Sequence, residues 1–365
     1  MKKKFKKFIK FLRSNSLDLI IQMHNFPDPD SIASAFSLKK IFENYSINVK
    51  LYYYGSQIGL INKMLLDVST KIFEENIFKN NKCKIFFNPE DIHENDYKKK
   101  VVFCVDGSPE NSNFQKLPLT YIGFIDHHKN YFQNNEKKLA SLKKKINLIK
   151  KVRNIDKKNY EENNFFISQN FSHYKFVVIG FNYGATSTII YKLSKKLKVK
   201  LDQNLLLLIA LGIYTDTNGL KRNVTKEDFL YFYEIYYQID REKFLFFSEN
   251  WFAKDEIFYI IEALKNLKIE NNIARTYIKG NINPNLLGIL ADFLLKIIEI
   301  NFIIIFGIGD NLIYFSTRSI DQNLNCLEFI NKNFGDLVSF GGHDEMAAGI
   351  FKDNSSIEKV KEFLK

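Results

Sequence analysis

His24-Asn25-Phe26-Pro27-Asp28-Pro29-Asp30 sets an imidazole and two carboxylates in one short stretch. Pro27 and Pro29 each fix a backbone torsion, and Pro29 also restricts Asp28 before it. Two like charges held this close favour a cation between them. A helix cap at Asp30 or Ser31 accounts for one acidic residue, not for the whole pattern. The same chemistry recurs at Val105-Asp106-Gly107, Asp126-His127-His128 and Thr215-Asp216-Thr217. The donors are carboxylates and imidazoles with no thiolate, a set that suits Mn²⁺ or Mg²⁺ better than Zn²⁺ or Fe²⁺. Four acidic ligands and two histidines match two divalent cations sharing a bridging carboxylate. Paired ions of this kind activate a water for attack on phosphorus and offset the charge of the phosphate.

These residues need elements to bring them together. Leu17, Leu19, Ile21 and Met23 alternate with Asp18, Ile20 and Gln22, which predicts a strand leading into His24. Ile32, Ala35, Phe36, Leu38, Ile41 and Phe42 recur at helical steps after it. Further strands are expected at 47–54, 101–105, 120–125 and 176–179, with helices near 60–68, after Gly184 and over 205–211. Residues 72–98 are polar and irregular in pattern. Val101 to Val105 is apolar without alternation, and helical stretches separate the first two strands. Both features favour a parallel sheet covered on both faces. Ligands gather beyond the carboxyl ends of such strands, and three of these strands end in acidic or imidazole residues.

The remainder reads as a smaller α+β module. A strand at 274–278 leads to Asn283-Pro284, a cap with proline at the first helical position, and a helix over 286–298. Strands at 302–308 and 312–316 join through Gly309-Asp310-Asn311, and a short helix follows at 324–331. Gly341 and Gly342 allow backbone N–H groups to approach an anion, and His343 and Arg318 can add charged donors to a terminal phosphate. By pattern alone, Gly341-Gly342-His343 is a tight turn between strand and helix, and Asp344-Glu345 falls at a helix N-terminus. The fold class is therefore α/β. A parallel-sheet domain covers 1–265, with a basic insertion at 131–173 and a helical connector at 226–266. The α+β domain covers 266–365.

The 365 residues suit two domains, and 45% hydrophobic content is ordinary for a globular chain. A net charge of +12 makes nucleotides or RNA plausible partners, although lysine is abundant throughout. Cys83, Cys104 and Cys326 have no paired spacing, which fits a reducing compartment such as the cytoplasm. Phe5, Phe8, Ile9 and Leu12 recur at helical spacing, so residues 1–13 read as a first helix packed on the sheet in preference to a membrane-surface helix. The apolar window 286–308 is broken by Asp292, Lys296 and Glu299 and is not expected to span a membrane.

Taken together and in order, the first four motifs resemble those of the DHH phosphoesterase family. Phe340-Gly341-Gly342-His343 with Ala347-Ala348-Gly349, and Thr317-Arg318-Ser319, resemble the DHH-associated domain of the first type. Four of the six histidines lie in these motifs. The resemblance implies an active site in a cleft between the two domains. It implies that His24, Asp28 and Asp106 hold one Mn²⁺, and that Asp30, Asp106, His127 and Asp216 hold the second, with Asp106 bridging and Mg²⁺ or another divalent ion as substitute. His128 would face the substrate phosphate and Asp126 would orient an imidazole. Arg318, Ser319, Gly341, Gly342 and His343 would bind substrate. The implied reaction is phosphodiester hydrolysis of short nucleotides: RNA of a few residues, linear or cyclic di-adenylate, or 3′-phosphoadenosine 5′-phosphate. The alternatives are a RecJ-like single-strand exonuclease, expected to carry further domains, and a manganese-dependent pyrophosphatase, whose C-terminal domain lacks the Gly-Gly-His signature. A non-catalytic nucleotide or RNA sensor would be expected to have lost ligands. A homodimer is open, since such relatives often dimerise. Pro29 stands where many relatives have Gly, and the segment before Gly184 is long and basic for the family.

Overall fold

The computed structural model describes residues 1–54, 60–77, 86–91, 96–111, 113–128, 174–180, 182–250, 252–280, 282–310, 312–352 and 357–364. The basic stretch at 131–173, Cys83, Trp251 and Asn311 lie outside them. Two compact units emerge, one from residues 1–54 and 64–249, the other containing residues 250–365.

In the first unit α1 (Lys2–Ser14) buries Phe5, Phe8, Ile9 and Leu12, the stripe expected from sequence. The Phe5 ring meets Phe42 at 5.2 Å and Phe8 stacks on Phe176 at 5.4 Å. The helix is therefore part of the core, each buried Phe contributing about 2–3 kcal/mol. The chain then enters β1 (Asp18–Gln22), α2 (Pro29–Glu43), β2 (Val49–Tyr52), α3 (Leu60–Ile77), α4 (Asp96–Lys99), β3 (Lys100–Val105), β4 (Thr120–Asp126) and β5 (Phe176–Ile179). The strands form one sheet in the order β2-β1-β3-β4-β5, and every pairing is parallel. The helical run continues with α5 (Thr186–Leu197), α6 (Gln203–Asp216), α7 (Lys226–Tyr236) and α8 (Arg241–Glu249). Helix α6 buries Leu205 to Ile213 without a break, because α2, α5, α7 and α8 all pack on it.

The chain leaves β1 for β2 on one side and β3 on the other. Order therefore reverses between β1 and β3, the position where an open α/β sheet leaves a crevice beyond its strand ends.

The second unit opens with α9 (Ile257–Lys265), β6 (Lys268–Glu270), β7 (Ile273–Lys279), α10 (Pro284–Leu294), β8 (Phe302–Ile308) and β9 (Ile313–Ser319). It ends with α11 (Cys326–Asn333), β10 (Val338–His343), β11 (Met346–Phe351) and α12 (Ile357–Phe363). The sheet order is β10-β11-β9-β8-β7-β6, and among the described residues β7 with β8 is its one parallel pair. Apolar clusters lie on both faces, one around Phe306, Phe315 and Phe334, the other around Leu287, Leu290 and Ile303. Ala263 of α9 belongs to the second cluster, and its carbonyl accepts from Thr276 Oγ1 at 2.6 Å. That packing places α9 in the second unit, which contains residues 250–365.

Gly341-Gly342-His343 corrects the sequence reading. It lies in β10 and pairs with β11, and Asp344-Glu345 is the two-residue turn between those strands, not the start of a helix. Cys104 and Cys326 are buried. Among the described residues no helix is long and apolar enough to cross a membrane.

Candidate active site

The loop after β1 carries His24. Its Nδ1 lies 2.8 Å from the carbonyl of Asn25, which can only accept, so Nδ1 holds the proton and Nε2 is turned inward. Asp28 follows as the N-cap of α2, with Oδ1 accepting the Ser31 N–H at 2.9 Å. The cap is therefore Asp28, and its other oxygen, Oδ2, lies 3.6 Å from His24 Nε2. Asp30, in the first turn of α2, points elsewhere. Its Oδ2 accepts Thr186 N–H at 2.7 Å and its Oδ1 accepts Ser187 N–H at 2.9 Å. Helix α5 has no side-chain cap of its own at Ala185, so Asp30 supplies one from another helix. Gly212 of α6 permits this approach: a Cβ there would lie 2.9 Å from Asp30 Oδ1.

Asp106 follows β3 with φ +56°, a left-handed conformation that Asp tolerates better than most residues. Its Oδ2 is 3.5 Å from His24 Nε2, and its Oδ1 is 3.6 Å from His127 Nε2. One carboxylate thus faces two imidazoles, one with each oxygen. Beyond β4, His127 Nδ1 lies 3.2 Å from the Tyr183 carbonyl, so Nε2 again points inward, 2.9 Å from Asp216 Oδ2. His128 turns its Nδ1 to Asp126 Oδ1 at 2.6 Å, and its backbone N–H reaches the same oxygen at 3.1 Å. Asp126 is fully buried and fixes the orientation of this ring.

Asp216 does not end a strand. It is the last residue of α6. A carboxylate there faces the negative end of the helix dipole, a placement that favours a cation nearby.

The electrostatics agree. Burial opposes charging the His24 ring, but hydrogen bonds to Asp106 and Asp28 outweigh it and raise its pKa well above the usual imidazole value. His127 is raised in the same way, burial being overcome by Asp216, Asp106 and Asp30. His128 is also raised, Asp126 outweighing burial and the repulsion of His127. Burial would push Asp28 up, but His24 holds its carboxyl down at about 2. Burial, then Asp106 and Asp216, lifts Asp30 well above the carboxylate range. Asp216 is raised by burial that His127 only partly offsets.

Groups whose ligand atoms lie within 4.8 Å of one another include His24, Asp28 and Asp106; Asp30, Asp106 and His127; and Asp106, Asp126 and His128. They share Asp106, and Asp216 reaches His127. Oxygen and imidazole donors around a common carboxylate, with both inward Nε2 atoms set by backbone carbonyls, fit hard divalent cations.

In the second unit, Arg318 of β9 and His343 of β10 both register with Met346 of β11. All three share a row across the sheet, Arg318 and His343 about 9–10 Å apart at two strand spacings. The next row on that face is Gly341, Ala348 and Ser316, a floor of small side chains. Arg318 is only 7% exposed, so it is not a surface strand residue. Its Nε meets Asp292 Oδ1 of α10 at 2.9 Å, and Nη1 reaches Ser316 Oγ at 2.9 Å. A Cβ at Gly288 would lie 2.8 Å from Nη2, so any side chain there would push the end of the guanidinium aside. Gly342, at φ +146°, alternates to the other face, where a Cβ would meet the Met346 carbonyl at 2.2 Å. Ser319 alternates away too, and its hydroxyl donates to the Asp321 carbonyl at 3.0 Å. Arg318, His343 and Gly341 therefore share a face, and Ser319 and Gly342 do not.

Tyr183, Thr186, Ser187 and Asp292 touch these residues and were not singled out as site residues from the sequence. Asp292 left a signal, a carboxylate in an apolar helix. Gly184-Ala185-Thr186-Ser187 showed only a helix start.

Residues 18–213 match the DHH family, N-terminal domain, and residues 270–365 match the DHHA1 domain. The uncharacterized protein MJ1633 of Methanocaldococcus jannaschii is 28% identical over 374 residues, and the chain spans 65% of that relative's length. Among solved structures, an exopolyphosphatase-related protein from Bacteroides fragilis superposes with a TM-score of 0.61 at 14% identity, covering 100% of this chain and 96% of that one. RecJ from Thermus thermophilus, solved in complex with Mn²⁺, gives a TM-score of 0.47 at 11% identity over 99% of this chain and 55% of its own. With more than half of its length matched by the first of these domains, the chain belongs to the DHH family and carries a DHHA1 domain after it.

Proposed function

We propose that this chain is a two-metal phosphodiesterase that hydrolyses short nucleotides: RNA of a few residues, linear or cyclic di-adenylate, or 3′-phosphoadenosine 5′-phosphate. The reading rests on one observation above the others, the sharing of Asp106 between two donor sets whose imidazoles are both turned inward. His24, Asp28 and Asp106 would hold one Mn²⁺, and Asp30, Asp106, His127 and Asp216 the other, with Mg²⁺ as substitute. Bound there, such ions supply Lewis acidity and neutralise charge on a phosphoryl group. His128, its Nδ1 fixed by Asp126 and its pKa raised, keeps a proton at Nε2 to donate to a phosphate oxygen. Arg318, His343 and Gly341 offer a cation, an imidazole and an open floor to a terminal phosphate or base, and Asp292 keeps the guanidinium in place. A reducing, cytoplasmic setting accords with three scattered cysteines that have no paired spacing.

The test is a panel of substrates with Mn²⁺: RNA of increasing length, cyclic and linear di-adenylate, 3′-phosphoadenosine 5′-phosphate and pyrophosphate. Turnover falling steeply with RNA length supports the proposal. Preference for long single strands, or for pyrophosphate, replaces it with one of the alternatives. Asp106→Ala is expected to abolish Mn²⁺-dependent hydrolysis with the circular dichroism spectrum unchanged, and wild-type turnover in that variant would remove Asp106 from the bridge.

A further inference from the structure

We propose that residues 183–188 form a template that sets Asp30, Asp106 and His127 relative to one another, with Thr186 as its positioning residue and buried Asp228 as its anchor. The inference rests on the metal reading above.

The template touches three donor groups that come from three different places in the chain. The Tyr183 carbonyl accepts from His127 Nδ1 at 3.2 Å. The Thr186 and Ser187 N–H groups hold the two oxygens of Asp30 at 2.7 and 2.9 Å. The Thr186 hydroxyl donates to Asp106 Oδ1 at 3.1 Å. Thr186 alone therefore reaches two carboxylates, one with its backbone and one with its side chain, and it is fully buried.

The template is itself held from behind. Asp228, in the first turn of α7, has no exposed surface and ligates nothing in the site. Its Oδ2 accepts the Gly184 N–H at 2.8 Å, and its Oδ1 accepts the Thr188 hydroxyl at 2.5 Å. The same Oδ2 takes the Thr225 N–H and hydroxyl at 2.8 and 2.7 Å. Gly184 packs so closely that a Cβ would lie 2.6 Å from Thr217 Cγ2 and 2.9 Å from Asp228 Oδ2. A carboxylate free to rotate loses its ligand geometry part of the time. A donor that fixes one oxygen leaves its lone pairs aimed in one direction. Groups acting this way typically carry a factor of about 10–100 in metal affinity.

The full chain, stripped of metal, is titrated with MnCl₂ while free Mn²⁺ is read by electron paramagnetic resonance. Thr186→Val removes the hydroxyl but keeps the shape and the backbone N–H. It is expected to weaken Mn²⁺ uptake by about 10–100-fold, and Thr186→Ser to restore it. Excess Mn²⁺ should recover much of the turnover of Thr186→Val. Wild-type uptake in Thr186→Val overturns the proposal, and so does equal weakening in Thr186→Ser. Melting of the metal-free proteins shows whether each variant is folded. If Thr186→Val is not, Asp228→Asn carries the test: weakened uptake in a folded variant supports the anchor, and wild-type uptake removes it. A wild-type protein that takes up no Mn²⁺ overturns the proposed function itself, a result distinct from equal uptake by wild type and variants.

Discussion

Asp106 is where the site's charge is concentrated, and its surroundings make pH a sensitive probe. The folded-state pKa values of His24, His127 and His128 lie above the unfolded value of about 6.5. Their charged rings therefore stabilise the metal-free protein fully below about pH 6.5, and that stability is lost as pH rises through the raised values. Asp30 and Asp216, also raised, act in the same direction at lower pH. Asp28, held at about 2, works oppositely: its contribution is present above about pH 4 and disappears as pH falls through its folded value. We expect the melting temperature of the metal-free protein to fall between about pH 6 and pH 9. Cation binding should displace protons from the rings, so calorimetric heats will depend on buffer ionisation enthalpy. A buffer-independent heat would contradict the protonated-ring picture. Arg318→Ala is expected to impair dinucleotide turnover more than hydrolysis of bis-p-nitrophenyl phosphate, and equal losses would place it outside substrate recognition. His24, Asp28, Asp30 and Asp106 were legible in the sequence because proline spacing and residue type mark them. Thr186 was not, because a threonine opening a helix is common, and only the tertiary fold shows that its hydroxyl meets a carboxylate eighty positions away.

At the scale of elements, the contact between α2 and α6 is the most exacting. Gly212→Ala would set a methyl 2.8 Å from Ser187 Oγ and 3.0 Å from Asp30 Cα. We expect it to destabilise the fold by about 1–3 kcal/mol, read by urea denaturation, and to weaken Mn²⁺ uptake by shifting Asp30. An unchanged midpoint would mean that the helices part without cost. The five strands of the first sheet were readable because their apolar runs end in polar residues. The hairpin of β10 and β11 was not, since Asp344-Glu345 lacks the Asn-Gly or Asp-Gly signal of a two-residue turn. Two glycines in succession also argue against a strand by propensity. They are tolerated where Gly342 passes within clashing distance of the partner backbone. The helix read over 205–211 runs on through Asp216, because Gly212 and the polar residues after it look like a helix end in sequence.

For the molecule as a whole, each unit has its own apolar interior. The second has one cluster on each face of its sheet. Residues 250–365 expressed alone are therefore expected to unfold cooperatively in a thermal melt. A broad, non-cooperative transition would show that this unit depends on the rest of the chain. Helix α9 exposes Ile257, Phe258, Ile261 and Leu264, so by pattern it resembles the aromatic-rich helices before it. Its attachment to β7, visible in the Thr276 hydrogen bond, is what assigns it. The membership of the two domains, by contrast, was written in motifs whose order along the chain matches the matched regions.

The donor groups enter from the loop after β1, the ends of β3 and β4, and the last turn of α6. During synthesis, then, no early portion of the nascent chain can assemble the full cluster. His24 and its neighbours leave the ribosome long before Asp216 does, and the set closes only once α6 has docked against α2. Closure of the donor set would become a late checkpoint of maturation, and a chain stalled before that helix would present only part of it.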